Sequence, residues 1–63
     1  MEAKYYVYDK WSDDKDWELE YAYENEKYAL QNARYIRDVA RAQCSEKYMV
    51  KVVYKKKIIW KSY

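Results

Sequence analysis

Glycine, proline, phenylalanine, histidine and threonine are all missing from this 63-residue chain, and cysteine occurs once. Each absence excludes something. Without histidine there is no Ser-His-Asp or Cys-His catalysis, and no zinc site that needs imidazole. One cysteine allows no internal disulfide, and Cys44, with no histidine to activate it, reads as a structural thiol at the end of a helix. No apolar run approaches the roughly 20 residues that span a bilayer, so no membrane segment is expected. A lone cysteine and no positive-then-apolar leader point to a reducing, cytoplasmic setting. Asp13, Asp14 and Asp16 sit close together, yet the central Gly and closing Glu of an EF-hand are missing, so no metal is expected. No cofactor motif occurs, and Glu18 and Glu20 are expected on an open sheet rather than in a cleft. Catalysis is therefore not expected.

What is present is aromatic and charged. Ten tyrosines and three tryptophans supply 21% of the residues. A chain this short buries only about 60% of its extended surface, so rings must furnish much of the core. One domain, residues 1–63, is the natural reading. Charge is segregated along it. Residues 1–26 hold 3 Lys against 9 Asp and Glu, a net of −6; residues 27–63 hold 10 Lys and Arg against 2 acids, a net of +8. The halves can pair within one chain or between two.

The middle segment, NEKYALQNARYIRDVARAQC (residues 25–44), has the period of an amphipathic helix capped by Asn25. Tyr28, Ala29, Leu30, Ala33, Ile36, Val39 and Ala40 fall on one arc. Lys27, Gln31, Arg34, Asp38 and Arg41 fall on the other, with Asp38 spaced to pair with Arg34 or Arg41. Before it, AKYYVYD and DWELEYAY alternate with period two around a polar loop, a hairpin with Val7 opposite Trp17. That register puts Tyr5, Val7, Trp17, Leu19 and Tyr21 on one face, and Lys4, Tyr6, Tyr8, Glu18 and Glu20 on the other. After the helix, YMVKVVYKKKIIWKSY reads as a second hairpin. A three-residue loop at Lys55, Lys56 and Lys57 pairs Val52 with Trp60 and Val53 with Ile59, one lysine taking a left-handed turn position.

The expected fold is α+β, in the order β-β-α-β-β. A right-handed crossover gives a four-stranded antiparallel sheet of order 2-1-3-4 with the helix on one face. Its alanines should meet Trp17, Tyr21, Tyr54 and Trp60. The uncovered face should then carry Tyr6, Tyr8, Met49, Lys51, Val53, Ile59, Lys61 and Tyr63, more apolar surface than a solitary monomer exposes. Trp11, in the first loop, either folds over the sheet edge or projects as an anchor; with those residues it completes the candidate partner-binding set. The bland alternative is that tyrosine tolerates water and favours strands.

The expected function is a small non-enzymatic binding protein, with a protein or a second copy of itself as partner, a homodimer in the latter case. Size and composition match the small inhibitors that phages and mobile elements direct against host proteins. The alternative is a binder of single-stranded nucleic acid or a small nucleotide, using sheet tyrosines, Lys55, Lys56, Lys57, Arg34 and Arg41. Mixed charge on the open face, with Glu18 and Glu20 among the lysines, favours protein. The lysine triplet reads foremost as a solubilising turn.

Overall fold

Asn25 starts the helix in the manner its side chain allows: Oδ1 accepts a hydrogen bond from the Lys27 N–H at 2.8 Å. In the computed structural model, which describes residues 4–43 and 47–63, five elements follow one another. They are β1 (Tyr5–Trp11), β2 (Glu18–Tyr23), α1 (Glu26–Ala42), β3 (Tyr48–Tyr54) and β4 (Lys57–Lys61). The strands form one sheet of order β2-β1-β3-β4, antiparallel at every junction, with α1 against one face. That is the expected ββαββ arrangement. The helix stops at Ala42, and Cys44 lies outside the described residues. No helix among them is long and apolar enough to cross a membrane.

The core is smaller in composition than the sequence implies. Val7, Val50 and Val52 on the two central strands meet Ala29 and Ala33, all fully buried. Tyr5, Tyr23, Leu30, Ile36, Tyr48 and Trp60 pack around this centre. The alanines therefore face valines, and the rings form a surrounding wall. Tyr5 and Tyr54 stack in it with centroids 4.1 Å apart. Burial on α1 follows Ala29 and Ala33, with Leu30 and Ile36 half-buried beside them, while Tyr28 and Val39, expected on the same arc, are exposed. Asp38 pairs with neighbouring Arg37 at 3.1 Å rather than with Arg34 or Arg41. Arg37 also lies over Trp60, 5.5 Å from the ring centroid.

Two bulges change the faces. In the first hairpin Val7 lies opposite Tyr21 and Tyr5 opposite Tyr23, four residues from the expected register. Pairing then slips, so that Tyr8 faces Leu19 and Asp9 faces Glu18, leaving Glu20 as the extra residue. A one-residue slip inverts every side chain beyond it. Leu19 accordingly joins Tyr8 on the open face, while Glu18 moves to the helix side. In the second hairpin Val53 lies opposite Ile58 and Val52 opposite Trp60, with Ile59 the extra residue. Trp60 keeps its expected place, but Ile58 rather than Ile59 occupies the open face.

The turn between β3 and β4 has two residues, not three. Lys55 (φ 50°) and Lys56 (φ 66°) both adopt left-handed backbone, and Lys57 already pairs with Tyr54. Two consecutive positive φ values are what a tight hairpin of right-twisted strands demands. Lacking glycine, the chain meets that demand with lysines. Beyond β4, Ser62 Oγ accepts from the Val50 N–H at 3.0 Å and so extends the strand pairing.

Candidate binding face

Strand alternation fixes which side chains reach the uncovered face of the sheet. Because Val7, Val50 and Val52 point at the helix, Tyr6, Tyr8 and Lys10 of β1 point away, as do Met49, Lys51 and Val53 of β3. Leu19, Ile58 and Lys61 join them from the outer strands through their pairing with Tyr8, Val53 and Lys51. Tyr63 reaches the same face, its ring 5.6 Å from that of Trp17.

Trp17 dominates one end of this surface, although the sequence places it in the core. It precedes β2 and lies across the sheet, with Lys51 Nζ 4.2 Å from its ring centroid and Lys10 Nζ 5.5 Å from it. Lys51 Nζ is also 5.5 Å from the Tyr8 ring, and Lys61 Nζ 5.3 Å from that of Tyr63. Ammonium groups over π faces are held by the ring quadrupole while keeping much of their hydration. Of the expected partner-binding residues, the fold thus brings Tyr6, Tyr8, Met49, Lys51, Val53, Lys61 and Tyr63 together. It adds Lys10, Trp17, Leu19 and Ile58, and removes Ile59 to the bulge.

Trp11 is also removed. It ends β1 opposite Tyr48 and meets that ring edge-on at 5.1 Å. There it lines a largely apolar groove of about 490 Å³ on the helix side, with Tyr35, Ile36, Val39, Ala40 and Gln43. Neither the sheet edge nor the open face receives it.

The carboxylates have gone the other way. Asp9, the last residue of the first alternating segment, is buried in β1 on the helix side. Its carboxylate takes a hydrogen bond from the Tyr48 hydroxyl, and it shares a second hydrogen bond with Glu20. That shared bond, with the nearby Asp9 charge, raises the Glu20 pKa, because two carboxyl groups can share a hydrogen bond only if one is protonated. Burial, then the Asp9 bond, pushes the Tyr48 hydroxyl up. Asp14 ties the first loop back to the end of β1, its Oδ2 accepting from the Trp11 N–H and its carbonyl from Lys10 Nζ. No group of three or more metal-ligating side chains occurs among the described residues.

The open face of the strands therefore carries lysine without carboxylate. The mixed charge expected there is a consequence of the missed bulge. The alternative nucleic-acid set is not assembled into one surface. Lys55, Lys56 and Lys57 cluster at the Tyr5–Tyr54 end of the sheet, whereas Trp17, Lys10 and Tyr63 occupy the opposite end. Arg34 is exposed on α1, across the sheet from Tyr6 and Tyr8. Arg41 alone approaches the open face, in a groove it lines with Tyr48, Met49, Ser62 and Tyr63. One signal for Trp17 was present in the sequence. Asp9 continues the inward alternation Tyr5, Val7, and Lys10 the outward one Tyr6, Tyr8; carrying β1 on to Trp11 moves the loop and frees Trp17. No family model, curated protein or solved structure matches this chain.

Proposed function

We propose that the chain is a non-catalytic binding module whose open sheet face docks on an acidic, partly apolar protein surface. The observation that carries this is the composition of that face: Tyr6, Tyr8, Trp17, Leu19, Met49, Val53, Ile58 and Tyr63 set among Lys10, Lys51 and Lys61, with no carboxylate from the strands. Aromatic side chains supply contact area at low entropic cost, methionine adapts to an irregular partner surface, and the lysines select the sign of the partner. Such a module acts by covering its partner's surface, the manner of an inhibitor.

Single-stranded nucleic acid is the second reading, and the missing carboxylates favour it. Two features weigh against it. The Trp17 ring, the best stacking platform, already has ammonium groups over it. Tyr8 and Tyr63 likewise have lysine ammonium groups near their rings, and Leu19, Met49, Val53 and Ile58 between them give a base no ring to stack on. A face-to-face homodimer is disfavoured by the same charge, since two-fold symmetry would set lysines against lysines.

The test compares two polyanions, a random copolymer of glutamate and tyrosine and an oligothymidylate of equal charge, by tryptophan fluorescence titration. The copolymer should bind at physiological salt, and Trp17→Ala with Lys51→Glu should abolish this without changing the unfolding temperature. Oligothymidylate should be released as salt rises, by counterion release. Salt-resistant oligothymidylate binding that depends on Trp17 would establish the nucleic-acid reading instead.

A further inference from the structure

Among the described residues no strand pairs with the outer edge of β2 or of β4, and the charges of these two edges are opposite. The β2 edge carries Glu18, Glu20 and, one residue past its end, Glu24. The β4 edge carries Lys57 and Lys61, with Lys55 and Lys56 at its turn. Apolar side chains sit between the charges on both edges: Leu19 and Tyr21 are 52% and 59% exposed on one, Ile58 and Ile59 50% and 40% on the other. Ile58, Ile59, Trp60 and Lys61 also line a shallow groove of about 330 Å³.

Topology makes the edges compatible. The strands alternate in direction across the sheet, so β2 and β4 run in opposite directions. A second copy in the same orientation, helix on the same side, would bring its β2 antiparallel to the first copy's β4. The antiparallel order would continue unbroken.

We propose that copies of this chain assemble edge to edge, the acidic β2 of one copy pairing with the basic β4 of the next. Edge charge ordinarily prevents strand addition. Here it prevents only like pairing: β4 repels β4 and β2 repels β2, while the unlike pair attracts. The bulges at Glu20 and Ile59 mean that neither edge is a flat template for an arbitrary strand. Because the contact is heterologous, each added copy leaves two free edges, and sheet twist turns the series into an open helical row rather than a closed dimer. Part of the segregated charge of the chain is thereby placed on the edges, Glu18, Glu20 and Glu24 on one and Lys55, Lys56, Lys57 and Lys61 on the other.

The experiment is sedimentation velocity at millimolar protein, at low and at high salt, on the wild type and two charge-reversed variants. One variant is Glu18→Lys with Glu24→Lys; Glu20 is left in place because it hydrogen-bonds Asp9. The other is Lys57→Glu with Lys61→Glu. Thermal unfolding shows that each is folded. The wild type should form species of rising size at low salt and return to 7.9 kDa at high salt. Each variant alone should stay at 7.9 kDa, and their equimolar mixture should assemble, since each again meets an edge of opposite sign. A wild type that remains monomeric, a mass that stops at the dimer, or a mixture that fails to assemble overturns the proposal.

Discussion

Replacing Lys55 by Asn and Lys56 by Gly should stabilise the protein, by an amount that follows from the turn. Both lysines have positive φ, a conformation that costs an L-residue about 1–2 kcal/mol through the clash of Cβ with the following carbonyl. Glycine escapes that cost and asparagine part of it, but glycine in the unfolded chain carries extra entropy worth about 0.5–1 kcal/mol. The net gain expected for the pair is about 1–2 kcal/mol. For a domain of this length each kcal/mol moves the midpoint by about 4–8 °C, so thermal unfolding should shift upward by roughly 4–16 °C. Urea unfolding should show a higher midpoint with an unchanged slope, since the buried surface is the same. Lys57→Gly supplies the control. Lys57 is in β4 opposite Tyr54, so this change should destabilise by about 0.5–1 kcal/mol. A stabilising Lys57→Gly with a neutral Lys56→Gly would refute a two-residue turn and restore a three-residue loop.

Ala33→Leu should lower stability by about 1–3 kcal/mol through overpacking, because Ala33 is fully buried with Val7, Val50 and Val52; chemical denaturation measures it, and a neutral result would mean that α1 does not lie close to the sheet. Asn25→Ala should cost about 1 kcal/mol by leaving the Lys27 N–H without its acceptor, with Asn25→Asp restoring most of the loss. Raised folded pKa values make two steps in stability against pH. Glu20 binds its proton more tightly in the folded state, so its contribution is present below about 4.3, the ordinary Glu pKa, and lost as pH rises through the raised value. Tyr48 behaves likewise above about 10. Denaturation of wild type and Glu20→Gln across pH should show the wild type losing ground to the variant as pH rises from acid to neutral; a difference independent of pH contradicts the Asp9–Glu20 bond.

The elements with a clean period were legible from sequence. Ala29 and Ala33 at helical spacing behind Asn25 gave α1 its start and its buried stripe, and Val50 and Val52 declared the inward face of β3. Strand order followed from crossover handedness. What escaped was local. A bulge has no compositional mark in a chain without glycine, and one at Glu20 was enough to exchange Trp17 and Leu19 with Glu18 between the two faces. The burial of Asp9 escaped for a related reason: it depends on partners contributed by β2 and β3. The content of the binding face thus rested on a single residue of register.

The three tryptophans end up in three unlike surroundings. Trp17 lies on the open face under Lys51, Trp60 beside the core under Arg37, and Trp11 edge-on to Tyr48 at the helix-side groove. Each can therefore serve as an optical reporter for one surface. Three variants that keep a single indole, the other two replaced by phenylalanine, would separate the emission of the molecule into three channels. Quenching by an added molecule would then locate the contact directly. Occupation of the open face should alter the Trp17 channel, loosening of the core the Trp60 channel, and entry into the groove the Trp11 channel.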